Sequence, residues 1–127
     1  RQAPLNAIWE GSGNIQCLDV LRALSREPET GAALMAELES VAGHDADFDA
    51  FIGRLRTQIA SAGPNEFGAR LLVEHLALAL QAAVLLRARS PAAALFIRSR
   101  LQHAHGLAFG TLPASDAIGV LIDRALV

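Results

Sequence analysis

Apolar positions along the chain recur at helical spacing, and glycine or proline closes each run. Ile15, Leu18, Leu21 and Leu24 follow the loop Gly11-Ser12-Gly13-Asn14 at three-residue intervals, which predicts a helix from about Asn14 to Ser25. Pro28 breaks it, and Thr30 is the expected cap of a second helix with Leu34, Leu38 and Val41 inward and Gly43 as its stop. Asp45 or Asp47 caps a third, since acidic side chains suit the positive end of the helix dipole, and Phe48, Phe51 or Ile52, Leu55 and Ile59 form its apolar face. Gly63-Pro64 closes that helix. Asn65 starts a long fourth helix to about Arg87, with so many Leu and Ala on all sides that neighbours are expected to surround it. Ser90-Pro91 opens a fifth, which runs to His105 and ends at Gly106. A short last helix, begun by Pro113 or Ser115, carries Ile118, Leu121, Ile122 and Leu126. No stretch alternates with period two. The expected fold class is all-α, an antiparallel helical bundle of five to six helices with short loops and no internal repeat.

Composition narrows the classes of function. With 127 residues, 52% of them hydrophobic and 19% charged, the chain has the size and apolar content of one compact domain rather than a disordered tail. Thirteen acidic residues against eleven basic ones give a net charge of -2, so nucleic acid or anionic lipid would have to be met by a local patch. All the basic residues are Arg, a good helix former like the abundant Ala and Leu. The single cysteine, Cys17, has no internal disulfide partner, which fits a reducing, cytoplasmic location. Leu76 to Leu86 is apolar apart from Gln81 and shorter than the roughly 20 residues of a membrane-spanning helix, so it reads as a buried helix and no membrane partner is expected. The opening Arg1-Gln2-Ala3-Pro4 has neither an initiator methionine nor a leader pattern, so the chain reads as a piece of a longer protein.

Candidate chemistry concentrates in Ala7-Ile8-Trp9-Glu10-Gly11-Ser12-Gly13-Asn14-Ile15-Gln16, which sets a carboxylate directly before a glycine loop that opens a helix. Glycines let backbone approach a ligand closely, and the free N–H groups of a helix start favour an anion. A dinucleotide fingerprint is excluded, because Gln16 stands where G-x-G-x-x-G needs its last glycine and no strand precedes the loop. Read without further context, the loop is a helix N-terminus.

These residues carry a family resemblance. Ile8-Trp9-Glu10-Gly11-Ser12-x-x-Ile15-Gln16, followed by Arg22, resembles the acyl-CoA dehydrogenase pattern of aromatic-Glu-Gly-Thr/Ser-x-x-Ile-Gln with an arginine later on the same helix. The run from Pro4 to Asn14, with Cys17-Leu18-Asp19-Val20-Leu21-Arg22, is most similar to the adaptive-response, AidB-like branch of that family. About two dozen residues carry the likeness. It implies that Glu10 is the catalytic base, taking a proton from the carbon next to an acyl-CoA thioester while the neighbouring carbon gives hydride to flavin. A base for so weak an acid has to be held in contact and partly desolvated, with its pKa raised. By the same resemblance Ser12, Gly13 and Asn14 line the FAD site, and Trp9 and Gly11 lie at the substrate. Ser12 replaces the commoner threonine, Trp9 a tyrosine or phenylalanine, and Cys17 a frequent arginine; Trp9 and Cys17 are shared with the AidB-like branch, associated with alkylation damage and DNA.

The resemblance also implies an organisation. Residues 1–28 would be the end of the acyl-CoA dehydrogenase C-terminal helical domain, carrying the catalytic-glutamate loop, and residues 29–127 an appended helical extension. No strand-forming region supplies the β-domain that grips FAD in this family, so the expected partners include the N-terminal and β domains of the same protein, and this part alone is expected to be inactive and to lack FAD. The alternative implied by the branch is an alkylation-response flavoprotein whose extension serves oligomerisation or DNA binding. The high apolar fraction points the same way, to a face where other domains or a second subunit of a homo-oligomer pack.

Other motifs read as structural. Asp45-Ala46-Asp47-Phe48-Asp49 imitates a calcium loop, but Ala50 replaces its glycine and Arg56 its glutamate, which leaves helix capping. His103 and His105 are two apart and point to different helix faces; His44 and His75 have no partner at ligand spacing, and no metal is expected. Arg22 with Arg26, Arg54 with Arg56, Arg87 with Arg89 and Arg98 with Arg100 would make a phosphate-binding surface only by converging in the fold, and Arg22 and Arg26 alone share a helix face by spacing.

Overall fold

The computed structural model describes residues 13–61, 68–103 and 117–125. Among them are six α-helices, one π-helical turn and no strand, an all-α helical bundle. Helix α1 (Gly13–Arg26) lies within a residue of its expected bounds. Its four apolar residues do not share one environment. Each three-residue step rotates about 60° short of a full turn, so Ile15 and Leu24 face opposite ways. Ile15 is 49% exposed, whereas Leu21 and Leu24 pack on the core.

Helix α2 (Pro28–Glu39) corrects the expected cap. Pro28 occupies the first turn, where its missing N–H costs nothing, Glu27 is the cap residue, and Thr30 lies inside the helix with its hydroxyl donating to Glu27 Oε2 at 3.2 Å. One residue therefore separates α1 from α2. Leu38 is fully buried, and Val41 is buried in the turn beyond the helix. Gly43 ends that turn at φ +81°, a left-handed conformation as its stop role predicts.

Asp45 caps α3 (Ala46–Ser61), its Oδ1 accepting the N–H groups of Asp47 and Phe48, both at 2.9 Å. Phe51 and Ile52, offered as alternatives by the pattern, are both buried, with Phe48 and Leu55. The fourth helix, α4 (Ala69–Arg87), ends where expected; its predicted start at Asn65 and the Gly63-Pro64 stop lie outside the described residues. It touches α1, α2, α3 and α5, and Ala79, Ala82 and Ala83, all fully buried, let those neighbours approach closely.

Two expectations about α4 need amendment. By length and composition alone its 19 residues suffice to cross a membrane, more than the Leu76–Leu86 run suggested, although a packed core helix has the same profile. Nor is it wrapped on all sides: Leu71 and Val84 are each 52% exposed, and Leu80 is exposed with them.

Ser90 accepts the Ala92 N–H on its hydroxyl at 3.3 Å and the Ala93 N–H on its carbonyl at 3.0 Å, opening α5 as expected. The rest of the fifth helix differs. After α5 (Ala93–Phe96) the chain widens into a π-helical turn (Ile97–Leu101), with Gln102 N–H donating to Ile97 O, and His103 turns left-handed at φ +55°. The helical run thus stops at Leu101, short of the expected His105; residues 104–106 lie outside the described residues. Buried Leu95, Ile97 and Leu101 anchor it, and the buried Ser99 hydroxyl donates to Phe96 O. Helix α6 (Ala117–Ala125) forms where a short last helix is expected and leaves Val120, Leu121 and Ile122 exposed; its predicted start and Leu126 fall outside the described residues.

Candidate functional site

Of the residues expected to form the site, Trp9, Glu10, Gly11 and Ser12 lie outside the described residues. Gly13 and Asn14 are the first two residues of α1, so the motif does open a helix. No acidic residue occupies the first turn of α1, which leaves the positive end of its dipole without an internal counter-charge.

Packing adds a residue that sequence reasoning missed. Arg70, at the start of α4, brings its Nη2 to 3.6 Å from where a Cβ on Gly13 would stand. Arg70 is exposed and forms no ion pair among the described residues. A guanidinium beside a helix N-terminus adds positive potential where the helix already has it, so this corner favours an anionic group. Nothing in the sequence signals the approach, because 57 positions separate the two residues and the packing of α1 on α4 alone brings them together.

Several of the arginines are engaged locally. Arg22 donates to Asp19 Oδ1 at 2.7 Å on the exposed side of α1, and Arg26, four residues on, is exposed at the negative end of the same helix without an ion pair among the described residues. Arg56 pairs with Glu39, and Arg87 pairs with Glu37 and donates to Ser40 Oγ at 2.9 Å, holding α3 and α4 to the end of α2. Arg54 lies over the Phe51 ring at 5.6 Å.

His75, His44, Asp45 and Asp49 have structural partners. His75 Nδ1 donates to Gln58 Oε1 at 2.8 Å, and its ring meets Phe51 edge-on at 5.4 Å. Burial holds its pKa below 6.5, Glu74 opposes that, and His103 and Arg54 add to it. His44 Nδ1 lies 3.0 Å from Val41 O, and Asp49 accepts from the Gly43 N–H, so Asp45 and Asp49 of the calcium-like run serve the backbone. Among the described residues no group of three or more side chains is disposed to hold a metal ion. Cys17 is half-buried with a free thiol.

Comparison with known proteins finds the "Putative acyl-CoA dehydrogenase AidB" of Escherichia coli (strain K12), 40% identical over 91 residues, or 72% of this chain. The chain is a partial match to the AidB-like acyl-CoA dehydrogenase family. No family model matches, and no solved structure matches. The chain spans 16% of the length of that AidB relative. A likeness of 91 residues in a chain of 127 cannot be confined to the N-terminal 28, so it includes helices that follow Pro28.

Proposed function

We propose that this chain is the helical C-terminal part of an FAD-dependent, acyl-CoA dehydrogenase-like oxidoreductase, with residues 1–28 closing the dehydrogenase domain and residues 29–127 forming the extension. The 40% identity to the AidB relative carries this reading, and the acid-glycine-hydroxyl motif before α1 supports it. At the described corner, a bare helix start with Arg70 beside it suits a phosphate-bearing cofactor, with Gly13 and Asn14 offering backbone. Ser12 adds a hydroxyl from the motif. Bound FAD supplies the hydride acceptor. Glu10 takes a proton from the carbon next to the thioester as hydride leaves the neighbouring carbon, and a carbon–carbon double bond remains. By the family resemblance Gly11 would leave room for the thioester, and Trp9 would belong to the substrate side of the site. The rest of the reaction site belongs to the partner domains, so this part is inactive by itself.

The test uses the full-length protein without oxygen: acyl-CoA should bleach the oxidised flavin absorbance, and Glu10→Gln should abolish bleaching while flavin stays bound. Bleaching that survives Glu10→Gln removes the assignment of the base.

A second reading is favoured by the reach of the AidB-like match into the appended helices: an alkylation-response flavoprotein whose extension oligomerises or binds DNA. Exposed Arg22 and Arg26 on α1 are its candidate phosphate contacts, although Asp19 already engages Arg22. This reading requires DNA retention by the full-length protein that falls steeply with salt and is indifferent to Glu10→Gln; absence of a mobility shift at low salt excludes it. In both readings the protein is a cytoplasmic homo-oligomer.

A further inference from the structure

A groove of about 450 Å³ runs between α4 and the π-helical turn, within the size range of small-molecule sites. Glu74, Leu78 and Gln81, at i, i+4 and i+7, line it from α4; Phe96, Arg100 and His103 line it from the other side. Leu78 and Phe96 are half-buried and make an apolar floor, while Glu74, Gln81 and Arg100 are exposed around it. The π turn that carries Arg100 is a rare local geometry that recurs at functional sites.

The charges around this groove are arranged unlike those of the smaller groove between α2 and α3. There, Glu39 and Arg56 line the space and neutralise each other in an ion pair. Here Glu74 and Arg100 make no ion pair among the described residues, which leaves a carboxylate and a guanidinium facing a ligand above an apolar floor. A simple organic anion would meet Arg100 and be repelled by Glu74; a simple cation would meet the reverse. A molecule with both charges incurs neither penalty.

We propose that this groove binds a small zwitterion with an apolar body, such as an aromatic α-amino acid, its ammonium toward Glu74, its carboxylate toward Arg100 and its ring on Leu78 and Phe96. The site is independent of the flavin-linked reading, since no residue is shared with it.

The experiment follows backbone amide shifts of the 127-residue chain on titration with phenylalanine, phenylacetate and phenethylamine. Saturable shifts should centre on Glu74–Gln81 and Phe96–Arg100, with phenylalanine bound about tenfold more tightly than either singly charged probe. Arg100→Gln should bring phenylalanine to the level of phenethylamine, and Glu74→Gln to that of phenylacetate. Equal binding of the three probes, shifts elsewhere in the protein, or no saturable shift overturns the proposal. So does phenylalanine binding that neither substitution alters.

Discussion

The Asp49 carboxylate receives the Gly43 N–H through both oxygens, at 3.0 and 3.2 Å, and so ties the turn after α2 to the first turn of α3. Gly43 can present that N–H because its φ of +81° is open to glycine and strained for other residues. Gly43→Ala is expected to cost about 1–2 kcal/mol of folding stability, seen as a lower midpoint in urea unfolding. An unchanged midpoint would mean that the turn does not hold this conformation in solution.

Capping by Asp45 is expected to contribute about 0.5–2 kcal/mol, since its Oδ1 serves two backbone donors that would otherwise lack a partner within α3. Asp45→Ala should lose that amount, and Asp45→Asn or Asp45→Ser should recover most of it. Thermal unfolding of the three variants compares these outcomes directly.

Gly53 sits in the interior of α3 on its exposed side, and a Cβ there would have no neighbour within 4 Å. Gly53→Ala should therefore stabilise the chain by about 0.5–1 kcal/mol through helix propensity alone. The urea midpoint should rise with an unchanged slope. A loss of stability would reveal a close approach to α3 at this point.

His75 gives stability a defined dependence on pH. Burial favours its neutral form, so its pKa in the folded chain lies below the unfolded value of about 6.5. Between those two values the unfolded chain binds the extra proton; stability from this residue is complete above about pH 6.5 and falls as the pH drops toward the folded pKa. Glu74 moderates the effect, while Arg54 and His103 strengthen it. His75→Gln should flatten the stability profile between pH 7.5 and 5.5 (pH values chosen to bracket about 6.5). Superimposed profiles of the two proteins would assign the acid sensitivity to other groups.

Local chemistry made much of the helical outline legible. The close of α4 at Arg87, the cap of α3 at Asp45 and the left-handed stop at Gly43 each follow from residues within a few positions of the event. Thr30 misled because it is a good cap type, yet Pro28 two residues earlier is pre-set for a first helical turn. The site was less accessible to local reasoning. Its motif announces a helix start at Gly13, but the guanidinium beside that start comes from α4.

What the sequence by itself determined is the all-α class, most of the helix limits and the motif before α1, because backbone propensity, capping and glycine geometry act over one or two turns. Tertiary structure alone decided which apolar residues are buried: Leu24 packs inward while Ile15 does not, and α4 retains exposed Leu71 and Val84. It also decided the meeting of Arg70 with Gly13 and the widening of the chain after Phe96. A hydrophobic side chain gains from leaving water wherever a neighbour covers it, and the identity of that neighbour depends on contacts between segments far apart in the chain.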